Sequence, residues 1–436
     1  MLRKTRFKKA PSQKGYLSLK VIIFSLFLII MTVIALIMPL RPTKSNIEKR
    51  TLAKFPKVSF QTLVNGKYFS DVTTWYADTF PMRESLMSDN AKFKEAYGIQ
   101  TTQMIGQVSP QTKEKNKAAT PKTTLTKKTN KADKIKNVDE KLDNVFISGN
   151  RAYSVYGFNQ TAVDKYTDTI NRFVDKVPNS KVYDIVVPTS SGIYLSDKTT
   201  KELGGSNQKK AINYIYKHLN KKVNKVDAFS EIDNHSKEYL YFRTDHHWTA
   251  KGAYYAYGQY MKKAGKTPSK LSDYKHRAFK GFLGTSYAYS NQASALGDTP
   301  DTVHTYQPQG TNTIKYTDRL NQPNQTGKII ADASKYDEAS KYMAFIAGDE
   351  PYEEIHNPKI KDGSSVVVIK ESFGNAFVPF LVNNYENVYV VDYRYYDDQL
   401  AKLVNEKHIQ DVIFLNNISA ASTDTLIDNI ARITEN

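Results

Sequence analysis

The sequence predicts an α/β protein: a parallel sheet with helices on both faces, preceded by one transmembrane helix. Three observations carry this. From residue 364 to 434 short, unbroken apolar runs alternate with helical patterns. Residues 21–40 contain no charge. Residues 109–137 shift to lysine and small polar residues without a single aromatic, setting the two ends of the chain apart.

The uncharged run, "VIIFSLFLIIMTVIALIMPL", has the length a helix needs to cross a hydrocarbon core of about 30 Å. Residues 1–20 ahead of it carry seven basic residues (Arg3, Lys4, Arg6, Lys8, Lys9, Lys14, Lys20) and no acid. Positive charge stays on the cytoplasmic side, so the expected order is a basic cytoplasmic tail (1–20), an anchor (21–40) and an extracellular remainder. A cleaved signal peptide would show a shorter apolar run and a small-residue cleavage site after it, and neither is present.

The net charge of +18 suggests nucleic acid until it is located. Residues 1–20 hold +7 and residues 109–137 another +7, which leaves only +4 for everything else. The folded part is nearly neutral, and no nucleic-acid partner is expected. Residues 109–137 read as a Lys-rich disordered insertion. With no cysteine in the chain, cysteine nucleophiles, disulfides and thiolate metal sites are excluded.

After the anchor, residues 41–108 read as an N-terminal helical part, with helical spacing from Phe69 to Tyr97 broken at Pro81. Residues 138–436 read as one α/β domain. "NVFISGNRAYSVY" is a hairpin turning at Gly149-Asn150, and "KVYDIVVPTS" a buried strand. "TAVDKYTDTINRFVDKV", "NQKKAINYIYKHLNKKV" and "TAKGAYYAYGQYMKKAGK" have helical spacing. Strand and helix then alternate through "SSVVVIKES", "GNAFVPFLVNNY", "NVYVVDYR", "DDQLAKLVNEKH", "QDVIFLNN" and "STDTLIDNIARIT". Strands apolar throughout are strands buried on both faces, the signature of a parallel sheet.

Ligands of an open α/β sheet sit beyond the carboxyl ends of its strands. Those ends carry Thr189, Ser190 and Ser191; Glu371 and Ser372; Arg394; and Asn416 and Asn417. Elsewhere "YFRTDHHWTAKG" places Asp245 two residues before His247. In an extended turn both face one way, so Asp245 can fix the imidazole while His247 takes a serine proton. His246 between them is expected to point away, with Trp248 shielding the imidazole. Ser372 sits at a strand-to-helix turn with Gly374 two residues on, which exposes the hydroxyl and aims backbone N–H groups at an oxyanion. A serine there also reads as a plain helix N-cap; the Asp245–His247 pair tips the choice to a nucleophile.

"YFRTDHHWTAKGAYYAY" with "VVVIKESFGNAFVPFL" resembles the DHHW family of bacterial surface proteins, which is related to the SGNH hydrolases and to the O-acetyltransferases of alginate assembly. "EKRTLAKFP", "GKYFSDVTTWYADTFPMRESL", "VYVVDYRYY" and "VIFLNN" are similar to other parts of that family. The resemblance implies an SGNH-like, flavodoxin-like sheet, with Asp245 and His247 as acid and base and Ser372 as nucleophile. Asn416 is the implied oxyanion donor and Arg394 a second. It further implies a membrane-bound O-acyltransferase partner that carries acetyl groups across, and no cofactor. Two features depart from the pattern. Glu371 stands where the family has aspartate, a change without consequence if the carboxylate faces solvent. And Gly284-Thr285-Ser286-Tyr287 resembles the serine motif of the alginate proteins, making Ser286 an alternative nucleophile. Ser372 is preferred because "YKHRAFKGF", ahead of Ser286, reads as basic and irregular rather than as a buried strand.

The function expected is a membrane-anchored extracellular O-acetyltransferase acting on an exported polysaccharide through an acyl-serine. A carbohydrate acetyl esterase is the alternative within the same chemistry. Outside it stand a non-catalytic glycan-binding module, for which 30 tyrosines supply stacking surfaces, and a metal-dependent phosphoesterase built on Asp-His-His. The latter needs several further ligands, and the remaining histidines are scattered singly; no metal is expected.

Overall fold

Apolar strands such as "SVVVIK" and "DVIFLN" can bury both faces only between two layers of helices, and they do. The computed structural model describes residues 145–290 and 292–435, together with 21–26, 41–45, 50–51, 53–58, 67–80, 131–132, 134 and 140–142. The chain divides into two units, Met1–Gln100 and Thr101–Asn436.

In the first unit the expected helix is found at Lys67–Asp78, ending before Pro81. The Arg41 guanidinium stacks over Trp75 at 4.1 Å and donates to Thr79 Oγ1 at 2.9 Å. Of the expected anchor, Val21–Leu26 is helical; residues 27–40 lie outside the described residues, as does the helical reading beyond residue 80. No helix among the described residues is long and apolar enough to cross a membrane.

The second unit is built on an eight-stranded sheet. Its strands are β1 (Lys181–Val187), β2 (Val223–Lys225), β3 (Thr313–Thr317), β4 (Gln325–Lys328), β5 (Tyr352–His356), β6 (Ser365–Lys370), β7 (Asn387–Asp392) and β8 (Asp411–Asn417). They lie in the order β4-β3-β5-β7-β6-β8-β1-β2. The segment from β7 to β2 is parallel, as expected. The other three strands are not: β5 pairs antiparallel with β7, β3 with β5 and β4 with β3. The sheet is therefore mixed. The stretch "PYEEIHNP" contains the strand β5.

Among its helices are α1 (Gln160–Phe173), α2 (Ala250–Lys263), α3 (Thr285–Tyr289), α4 (Gly374–Leu381), α5 (Leu400–Glu406) and α6 (Asp424–Glu435). Successive residues of a strand point to opposite faces, and β1 displays this directly. Tyr183 packs edge-on against Tyr260 of α2 at 5.0 Å, whereas Asp184 accepts from Tyr166 of α1 at 2.6 Å. Helices α1 and α2 thus cover opposite faces. The segment read as irregular, Lys275–Phe282, is a strand that pairs with Asp301–Gln307 in a separate antiparallel ribbon. The Lys-rich stretch is largely outside the described residues, but its C-terminal end is held. Lys131 and Lys134 both pair with Asp233, at 2.6 and 2.8 Å, and the Ala132 N–H donates to Ser236 at 3.0 Å.

Candidate active site

Two turns at the carboxyl edge of the sheet build the site. The first is the loop from Tyr241 to Trp248, closed by a bridge between those residues and by Thr249 N–H donating to Leu240 O at 2.8 Å. Helix α2 follows at once, and Gly252 in its first turn passes so near the loop that a Cβ would lie 2.5 Å from the Leu240 carbonyl. Glycine is therefore required for the helix to brace the loop. The second turn leaves β6 at Lys370 and enters α4 at Gly374.

These turns bring Asp245, His247 and Ser372 into one hydrogen-bonded line. Asp245 Oδ1 lies 2.6 Å from His247 Nδ1, and His247 Nε2 lies 2.7 Å from Ser372 Oγ. An ionised carboxylate has no proton to give, so Nδ1 carries one and the Nε2 lone pair accepts from the serine hydroxyl. Oδ1 also accepts the His247 backbone N–H at 2.9 Å, while Oδ2 accepts the N–H and hydroxyl of Thr285 at 2.9 and 3.0 Å. Burial alone would raise the Asp245 pKa; the adjacent imidazoles and these donors reverse that and hold it well below the usual carboxylate range.

Thr285 is a residue that motif reading missed while pointing beside it. In "GTSY" it is the threonine, at the start of α3, that anchors Asp245. Gly284 makes the approach feasible, since a Cβ there would meet the Asp245 side chain at 2.3 Å. Ser286 itself is buried, 4% exposed, and has no hydrogen bond to His247. Tyr342 was also missed. Its ring stacks on the His247 imidazole at 4.1 Å and 12°, and its hydroxyl donates to the Ser372 carbonyl at 3.0 Å. Trp248, expected to shield the imidazole, donates from Nε1 to the Phe373 carbonyl at 2.9 Å instead. The carbonyls of Ser372 and Phe373 are thus each held by an aromatic side chain.

His246 does not point away. Its ring lies 3.8 Å from that of His247, and its Nδ1 is 2.5 Å from Thr285 Oγ1. Burial, together with the neighbouring His247, pushes its pKa down to about 4.

The expected oxyanion donors are engaged elsewhere. Asn416 shares the α1 face with Phe414; its carboxamide accepts from Tyr393 at 2.8 Å and donates to Tyr166 at 3.2 Å, fully buried. The Gly374 N–H donates to the Glu371 carbonyl at 2.9 Å, and the missing side chain leaves room for Lys370, which a Cβ would approach to 2.5 Å. Arg394 is locked to Asp392 at 2.5 Å and to Asp349 at 3.1 Å, in a buried cluster where Lys370 Nζ lies 2.9 Å from Asp392. Glu371 does not face solvent either. It is 5% exposed and accepts the backbone N–H groups of Asn417 and Phe373 at 3.0 and 3.1 Å, tying the β6 turn to the end of β8. Thr189 and Ser191 are bound to Gln208, at 2.7 and 3.0 Å, and take no part.

Among the described residues one cluster has three side chains disposed to hold a metal ion: Asp245, His246 and His247. Both oxygens of Asp245 and both ring nitrogens of His247 already bond Thr285, one another and Ser372. A cation would have to break that line.

The family model described as "DHHW protein" matches residues 48–119 and 114–391, which between them hold both turns. The chain belongs to the DHHW family. A DHHW family protein from Eubacterium siraeum is similar in structure, with 30% identity and a TM-score of 0.60, over 66% of this chain and 93% of that one. Bacillus cereus PatB1, in a structure with a sulfonyl adduct, shares the fold at 17% identity and a TM-score of 0.53, over 65% of this chain and 98% of that one. The O-acetyltransferase domain of Pseudomonas putida AlgJ is more distant, at 12% identity and a TM-score of 0.36, over 65% of this chain and 96% of that one. No curated protein matches in sequence.

Proposed function

We propose that this DHHW protein is a membrane-anchored, extracellular O-acetyltransferase that passes an acetyl group through acyl-Ser372 to hydroxyls of an exported polysaccharide. The observation that carries the proposal is the line Asp245–His247–Ser372, with spacings of 2.6 and 2.7 Å. A glycan-binding module has no use for a serine held against an imidazole that a buried carboxylate orients.

In the first half-reaction Ser372 Oγ bonds to the acetyl carbonyl carbon and its proton passes to His247 Nε2. The bond from that carbon to the donor's leaving atom then breaks, and the leaving group takes the proton from His247. In the second half an acceptor hydroxyl gives its proton to His247 and attacks the acyl carbon. The bond to Ser372 Oγ breaks, and Oγ recovers the proton. Asp245 stays ionised throughout and holds the imidazole. For the oxyanion, the Ser372 N–H and Asn417 Nδ2 replace the donors first expected. Asn417 turns its Oδ1 to the Ser419 and Ala420 N–H groups at 2.9 and 3.1 Å, which leaves the amide NH2 for another partner.

The membrane assignment rests on the sequence of residues 1–40, and fixing the domain at the outer leaflet suits an enzyme that must collect acetyl groups from a membrane-bound O-acyltransferase. The test is acetate release from a chromogenic acetyl ester by the full-length chain in detergent, with Ser372→Ala and Ser286→Ala alongside. Loss in Ser372→Ala alone is expected. Loss in Ser286→Ala alone, or no effect of Ser372→Ala, would overturn the assignment.

A further inference from the structure

His246 is the member of the histidine pair that the mechanism above leaves idle, and its geometry suits a second task. Thr285 Oγ1 spends its only proton on Asp245 Oδ2, at 3.0 Å. It can therefore only accept from His246 Nδ1, 2.5 Å away, so Nδ1 carries the His246 proton and Nε2 the lone pair. His247 is set the same way, with Nδ1 on Asp245 and Nε2 beyond. Both rings turn Nδ1 toward the same carboxylate–threonine group, with centroids 3.8 Å apart and planes inclined by 36°. In an imidazole Nε2 lies across the ring from Nδ1, so both Nε2 atoms are turned away from that group, and that of His247 meets Ser372 there.

Of these two Nε2 atoms, that of His247 is occupied by Ser372 Oγ at 2.7 Å. That of His246 has no hydrogen-bond partner among the described residues, and it is not one of the sealed, unpartnered atoms of the interior. With its pKa pushed down to about 4 by burial and by His247, the imidazole is neutral at physiological pH and keeps that lone pair. Arg394 and Asp349, within electrostatic reach of the ring, are ion-paired to one another at 3.1 Å. The result is a free hydrogen-bond acceptor one ring away from the base.

We propose that His246 Nε2 accepts a hydrogen bond from the hydroxyl adjacent to the one being acetylated, so that the acceptor is a sugar unit presenting vicinal hydroxyls. The inference rests on the acyl-serine reading above. As the attacking hydroxyl gives its proton to His247, its neighbour is held by His246. Its own proton stays in place, and no bond to it changes. His246 is then a positioning residue for the second half-reaction.

The experiment compares alcohols as acceptors of the acetyl group, with full-length protein in detergent and p-nitrophenyl acetate as donor. Ethylene glycol offers a vicinal hydroxyl, and 2-methoxyethanol replaces its proton by methyl. The quantity read is acetylated alcohol relative to free acetate, which cancels effects on acylation. The wild type is expected to favour ethylene glycol by roughly three- to tenfold, the worth of one hydrogen bond. His246→Gln, whose Oε1 can stand where Nε2 was, should keep most of that preference. His246→Asn, whose amide can still serve Thr285 but does not extend to Nε2, should lose it. Equal preference in wild type and His246→Asn, or rescue by Asn rather than Gln, would overturn the proposal and leave His246 a structural partner of Thr285. Absence of Ser372-dependent acetate release in the wild type would fall on the acyl-serine reading itself, and this inference would fall with it.

Discussion

Replacing Asp245 by asparagine should cost about two to four orders of magnitude in kcat/KM for acetate release, with little loss of folded protein. The carboxylate accepts four hydrogen bonds: Oδ1 from the N–H and Nδ1 of His247, Oδ2 from the N–H and hydroxyl of Thr285. An amide of the same shape accepts at one end only. If its NH2 faces Thr285, two N–H groups oppose each other in a buried site, at about 1–3 kcal/mol for the unsatisfied donor. If it faces His247, the imidazole must take its other tautomer, with a proton on Nε2 toward Ser372, and can no longer accept from the hydroxyl. In a serine protease that change costs about 10⁴ in kcat. The assay is steady-state ester cleavage, with thermal unfolding measured in parallel. An Asp245→Asn enzyme within threefold of wild type would refute the role given to this carboxylate, and loss of activity only in step with loss of fold would leave it structural.

Three further outcomes follow from the same geometry. Thr285→Val keeps the backbone N–H on Asp245 but removes the hydroxyl, so activity should fall about three- to tenfold, well short of Asp245→Asn; steady-state kinetics decide this. Lys370→Met removes a fully buried cation from between Asp392 and Asp349 and should destabilise the protein by about 3–5 kcal/mol in denaturant unfolding, with Arg394 left to balance two carboxylates. The third concerns pH. His246 binds a proton less readily folded, at about 4, than unfolded, at about 6.5, so protons favour the unfolded chain between those values. Its contribution to stability is complete above pH 6.5 and is lost as the pH falls toward 4. Unfolding midpoints measured over that range should show a drop that is smaller in His246→Gln.

The parallel half of the sheet was legible because β6, β7 and β8 are buried on both faces, so their centres are unbroken apolar runs of Val, Ile, Leu, Phe and Tyr. The antiparallel half was not. "TIKYT", "QTGK" and "YEEIH" are short and hold few buried positions, none of them in "QTGK". Their direction is set by partners remote in sequence, such as Tyr352 beside Val391. Ser372, His247 and Asp245 could be read because each sits in a local pattern with its own chemical logic. Thr285 and Tyr342 reach the site from elements 40 and 30 residues away from the partners they hold, and carry no such pattern. The clue to Thr285 was the tetrapeptide that contains it, in which the serine rather than the threonine drew the reading. Asn416, read as an oxyanion donor, instead turns into the α1 face and bonds Tyr393 and Tyr166. Alternation along β8 puts neighbours on opposite faces, and the sequence does not say which face the nucleophile serves.

The proposed chemistry depends on Ser372 being a nucleophile activated by His247. The most direct measurement is labelling of the full-length chain with a sulfonyl fluoride, followed by peptide mass mapping. One sulfonyl adduct on Ser372 is predicted, strongly reduced in His247→Ala. An adduct on Ser286, or a folded wild type that takes none, would contradict it.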